Sequence, residues 1–208
     1  MSTTRSRRLS LLFLLAASVV ICLALGLRFF GRDWDQGWYM QPDERFMVMV
    51  LTDRIHAPDI HHLDRLLDPA HSPLNPRSVD QNGRPQAYAY GSLPLFATDA
   101  TAAVAGFLTR QDLNSYTRVG LVGRALSALA DVITVLLAMI LARRLYGRAA
   151  ALITGLLLAT TVTMIQLAHF FTVDSFVTMF ATAVLLVALL LVERPTRQGA
   201  IAAGILIG

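Results

Sequence analysis

Apolar residues fall along this chain in long unbroken runs, not at the spacing of a half-buried surface. Four runs, at about 9–30, 119–142, 149–171 and 174–192, each hold roughly 20 residues, the length a helix needs to cross a hydrocarbon core about 30 Å thick. A fifth begins at Gly199 and is cut off at Gly208, too short to span. The pattern predicts an all-α, polytopic transmembrane helical protein, with 1–208 the N-terminal part of a longer, truncated membrane domain. Between the first two runs lies a large, more polar loop, 31–118. Inside it Phe46, Met47, Val50 and Leu51 recur at helical spacing, so Pro42 is expected to open a short amphipathic helix. The stretch from Ser92 to Arg110 is mostly apolar but short, and Asp99 interrupts it. It reads as a helix lying along the membrane surface. The Pro-, Asp- and His-rich segment 56–85 reads as loop.

Composition agrees with a membrane protein: 55% of residues are hydrophobic and 15% charged, too apolar for an ordinary soluble domain of this length. All 18 basic residues are arginine. They cluster beside the apolar runs, so the net charge of +4 speaks to membrane orientation rather than nucleic acid. The single cysteine, Cys22, rules out an intrachain disulfide. The first run follows Arg5, Arg7 and Arg8. Its apolar core exceeds the roughly 7–15 residues of a cleaved signal peptide, and no small-x-small site closes it, so an uncleaved anchor is expected.

Arginine placement predicts the topology. Arg5–Arg8 precede the first span, Arg143, Arg144 and Arg148 separate the second and third, and Arg194 and Arg197 follow the fourth. With all three clusters cytoplasmic, the N-terminus is cytoplasmic and the spans alternate without contradiction. The loop 31–118 and the turn "HFFTVD" (His169 to Asp174) then share the outer face, and of the 14 acidic residues only Glu193 is cytoplasmic.

Several polar residues admit two readings. Asp43 and Glu44, behind Pro42, suit a first helical turn, where the helix dipole favours carboxylates. Arg124 and Asp131 lie seven residues apart, about two turns, and share a helix face. A charge at mid-membrane costs about 2.5–3.5 kcal/mol even on the lenient scale, so Asp131 must meet protein or water; an interhelix hydrogen bond is its structural reading. Arg124 is shallower and either snorkels or meets a lipid phosphate. Asp174 either caps the fourth span or lines a site with His169. Four loop histidines (His56, His61, His62, His71) lack regular ligand spacing, so no metal set is assigned.

Five segments occur in order: "QPDER" (Gln41 to Arg45), "YGSLPLF" (Tyr90 to Phe96), "GRALSAL" (Gly123 to Leu129), "RRLYGRAAAL" (Arg143 to Leu152) and "QLAHFFTVDSF" (Gln166 to Phe176). Together they resemble glycosyltransferase family 39, the group of GT-C enzymes that includes protein O-mannosyltransferases and lipid A aminoarabinose transferases. Many relatives carry His where this chain has Gln41. The resemblance implies a GT-C-like fold in a membrane of bacterial plasma-membrane type. The activity implied is transfer of a hexosyl or pentosyl sugar, with inversion, from a polyprenyl-phosphate donor to a hydroxyl of a protein, lipid or glycan acceptor on the outer face. Asp43 would be the general base, Glu44 its orienting partner and Arg124 the donor phosphate ligand. Tyr90, His169 and Asp174 would line the substrate pocket. No cofactor is implied beyond an optional divalent cation. The rival expectation is a non-enzymatic polytopic protein such as a transporter, with Arg124 and Asp131 as pathway residues, or an inactive fragment.

Overall fold

The computed structural model describes residues 2–56, 61–80 and 82–207. These residues form helices and loops without a named strand; the only strand-like pairing among them is an isolated bridge between Val79 and Pro85. The protein is an all-helical, polytopic membrane protein. Its helices are α1 (Ser2–Phe29), α2 (Pro42–Asp53), α3 (Ser92–Thr109), α4 (Tyr116–Tyr146), α5 (Arg148–Thr160), α6 (Val162–Ala168), α7 (Asp174–Glu193) and α8 (Arg197–Ile207). The chain divides into two compact units. One holds 1–32, 127–169 and 174–208; the other holds 33–126 and 170–173. α4 runs without a break through the boundary at 126/127.

The first unit is built of apolar helices. α1 packs on α5 and α6, and α7 on α6 and α8. Val20, Ala24, Val132, Val135, Met139 and Ala159 form the buried core. Outside it the surface stays apolar: Leu12 is 62% exposed and Val19 68%. A helix that is apolar all round, with so little of it covered by protein, is matched by hydrocarbon rather than water. Leu9–Phe29 of α1, α4 and α7 are each long and apolar enough to cross a membrane; so is α3 in the other unit, the shortest and least apolar of the four. The α4–α5 link is a single residue, Gly147, at φ 90° and ψ −172°, a conformation open essentially to glycine alone.

The run at 149–171 is not one straight helix. α5 and α6 meet at Thr161 with a bend of 59°, and Thr161 is extended (φ −65°, ψ 114°). No proline or glycine marks the break, and its cause lies in how the freed carbonyls are met. The last four carbonyls of a helix have no partner within it, and in a bilayer each unmet one costs several kcal/mol. Here the Thr160 hydroxyl donates to the Leu156 carbonyl at 2.9 Å and the Thr161 hydroxyl to that of Leu157 at 2.7 Å. The guanidinium of Arg28, near the end of α1, donates to the Leu158 and Ala159 carbonyls, each at 3.0 Å. Arg28 is fully buried, and its Nε forms an ion pair with Asp131 of α4. A cation at the negative end of a helix is also favoured by the dipole. The buried charge on Asp131 thus has a partner in its own unit.

The second unit has its own core. Met47, Val48, Val50 and Leu51 on the inner stripe of α2 pack with Tyr39, Tyr88, Leu95, Ala102, Val119 and Phe171. α2 opens at Pro42 as its sequence predicts, and the Gln41 side chain accepts from the Glu44 N–H at 2.5 Å to cap it. The long loop is tied by arginines: Arg54 donates to the Pro76 and Ala87 carbonyls, and Arg77 to that of Tyr88.

Candidate active site

Two consecutive residues on a helix point about 100° apart, so Asp43 and Glu44 cannot face the same way. Asp43 lies on the exposed side of α2. The Tyr90 hydroxyl donates to one carboxylate oxygen at 2.7 Å and the Gln41 amide to the other at 3.2 Å. Glu44 points inward and has no exposed surface.

Glu44 enters a buried ionic cluster. Arg124 donates through Nε to Glu44 at 2.6 Å and through one terminal nitrogen at 2.7 Å. It also binds both oxygens of Asp35, at 2.9 and 2.7 Å. The Phe171 N–H adds a bond to Glu44 at 2.9 Å. The Gly37 and Met40 amides each reach Asp35 at 3.3 Å. Two carboxylates against one guanidinium leave a net negative charge, and these backbone N–H groups offset part of it. Burial pushes the Asp35 carboxyl up, but the hydrogen bonds and charge of Arg124, with the Met40 and Gly37 amides, outweigh it and hold the group below its ordinary value. The rings of Trp34 and Tyr39 lie 5.5 Å from the guanidinium carbon, within cation–π range. Burial pushes the Tyr39 hydroxyl up to about 12, so it stays neutral at ordinary pH.

Local sequence explains how these groups converge. "DWDQGWYMQ" folds back on itself through positive φ at Gln36, Gly37 and Tyr39, which turns Asp35 inward. On α4, Gly120 faces the Tyr39 ring and Gly123 faces the Phe171 ring, and neither position has room for a β-carbon. The two glycines let both aromatics close over the helix that carries Arg124.

Four of the residues singled out in the sequence therefore share the second unit: Asp43 with Tyr90, and Glu44 with Arg124. His169 and Asp174 belong to the first unit. Each nitrogen of the His169 ring faces a backbone carbonyl, Ile165 at 2.7 Å and Phe30 at 2.8 Å. Asp174 is the exposed first residue of α7. Asp35, Tyr39, Gln41 and the Phe171 amide were not singled out. The signal for Asp35 was present in its aromatic neighbours and the following glycine, but a tryptophan-rich segment beside a span reads first as a headgroup belt. An open groove of about 780 Å³ borders Tyr90, lined by Leu66, Leu67, Arg77, Tyr88 and Phe96. Among the described residues no three of His, Cys, Asp or Glu come together as a metal set; His71 pairs instead with Asp68 at 2.7 Å.

Residues 116–208 match the family model described as dolichyl-phosphate-mannose-protein mannosyltransferase. The matched stretch contains Arg124, His169 and Asp174, while Asp43, Glu44 and Tyr90 lie before it. No curated protein and no solved structure matches the chain. The match agrees with the resemblance to glycosyltransferase family 39 and supports a membrane glycosyltransferase of the mannosyltransferase type.

Proposed function

We propose that the protein transfers a sugar from a polyprenyl-phosphate donor to an acceptor hydroxyl on the outer face of the membrane, with inversion at the anomeric carbon. Asp43 is the general base. The observation that carries this reading is the division of labour in "PDE". One carboxylate is exposed and held in place by a tyrosine and an amide, and the next is buried and neutralised. A base must reach its proton within hydrogen-bond distance, which only the exposed group is free to do. Tyr90 binds Asp43 and also borders the open groove, so the groove is the natural path for the acceptor.

The resemblance gives Arg124 the donor phosphate. That role would require the guanidinium to release Asp35 or Glu44, since both already occupy it. In our reading Arg124 acts first on these two carboxylates, fixing α2 and with it the direction of Asp43. His169 and Asp174 remain candidates for the substrate pocket.

Asp43→Asn in the full-length protein tests the proposal. The change keeps size and hydrogen bonding but removes the proton acceptor. Turnover with a polyprenyl-phosphate sugar is expected to fall by about 10²–10⁴, while the protein inserts and accumulates as before. If the pair only begins a helix, its worth is about 0.3–1 kcal/mol and transfer stays near the wild-type rate, which overturns the assignment.

A further inference from the structure

Within the first unit, the carboxyl end of α1 grips the bent α5–α6 pair at two places. At the upstream side of α6, Arg28 donates to the Leu158 and Ala159 carbonyls while Asp131 neutralises it. At the downstream side, the His169 ring stands between the carbonyls of Ile165 and Phe30. α6 is only seven residues long, so both of its ends are held by residues from one turn of α1. A buried ion pair alone would need only one carboxylate. The fork to two helix-end carbonyls and the second hook on Phe30 go beyond that need.

The chain leaves this unit one residue after His169. The next two residues are Phe170 and Phe171, and the Phe171 N–H donates to Glu44. It also leaves just after Arg32 and reaches Asp35, the other carboxylate on Arg124, three residues later. Two strands of backbone that end in the Glu44–Arg124–Asp35 cluster thus start from the gripped segment.

We propose that Arg28, His169 and Asp131 are positioning residues: they clamp α6 and so set where the Phe170–Val173 turn presents its amide to Glu44, beside Asp43. The consequence for turnover rests on the transferase reading above; the clamp itself does not.

The test pairs Arg28→Met with Asp131→Leu in the full-length protein, removing both charges so that neither is left buried alone. Amide exchange read by mass spectrometry over 161–172, without any donor, is expected to quicken by about tenfold at Phe171 and Thr172 as the turn opens locally. Exchange along α7 should not change. Turnover is expected to fall by about 10²-fold, as a misplacement near 1 Å can cause, with the donor KM and the melting temperature preserved. Unchanged exchange overturns the clamp. Faster exchange with wild-type turnover overturns the positioning role. If the double variant does not accumulate, His169→Phe leaves the ion pair intact and releases only the Phe30 hook; the same exchange result decides. A wild-type protein without transfer activity would sink the transferase reading, while the exchange arm would still support or overturn the clamp.

Discussion

Asp43 and Glu44 show how far neighbouring residues of one type can differ in role. Their exposure separates the expected results of substitution. Asp43→Asn should lower turnover and leave stability unchanged. Glu44→Gln should do the reverse first: breaking a buried ion pair by neutralising one partner costs about 3–5 kcal/mol, so the variant should accumulate poorly and melt earlier in a fluorescence assay. Asp35 carries a pH prediction. Its carboxyl is held below the ordinary value, so the unfolded chain binds the proton more readily than the folded one. The stability it contributes is present above the ordinary carboxylate value and is lost as pH falls through the lowered one. Asp35→Asn should flatten that acid-side loss, seen as a smaller drop in melting temperature between neutral and acid pH. Neither Asp35 nor Arg28 was legible in the sequence. Each is a single charge inside a segment whose bulk character, aromatic or apolar, dominates any window, and its partner is about 90 or more positions away.

At the scale of elements, α2 was legible to its first residue because proline, acidic first turn and apolar stripe all agree. α4 and α7 follow from apolar length alone. The bend between α5 and α6 was not, since "LATTVTMIQ" keeps its apolar period through the break and only the pair of threonines hints at it. The carbonyls released there are met by hydroxyls and by Arg28, and these partners come from tertiary structure. The glycines of α4 were half legible: "GRALSAL" drew notice to Gly123, but Gly120 gained meaning only with Tyr39 packed on it. Gly123→Ala should push the Phe171 ring off the helix and loosen the Phe171 amide from Glu44. Overpacking of this kind typically costs about 1–3 kcal/mol. A second substitution, Phe171→Leu, should return part of the lost melting temperature by making room for the methyl.

For the whole molecule, the arginine clusters predict that the loop between α1 and α4 faces outward. Cysteine scanning checks it, with Cys22 first replaced by alanine. Leu67 is 90% exposed in that loop and Tyr146, at the end of α4, is 80% exposed. A cysteine at Leu67 should react with an impermeant maleimide added to intact cells, and one at Tyr146 should react only after the membrane is opened. Labelling of both from outside would overturn the topology and the outer-face site together.

One further consequence follows from α4 being a single uninterrupted helix. Seven residues separate Arg124 from Asp131, and seven steps of about 100° bring a helix back to within about 20° of where it began. Each residue is locked to partners in a different unit, so α4 acts as a keyed shaft whose two teeth must stay in phase. Adding one alanine between Ser127 and Ala130 would turn one tooth by a quarter turn or more against the other. Either Asp35 and Glu44 or Arg28 would then lose its counter-charge, even though no residue of either cluster had been changed.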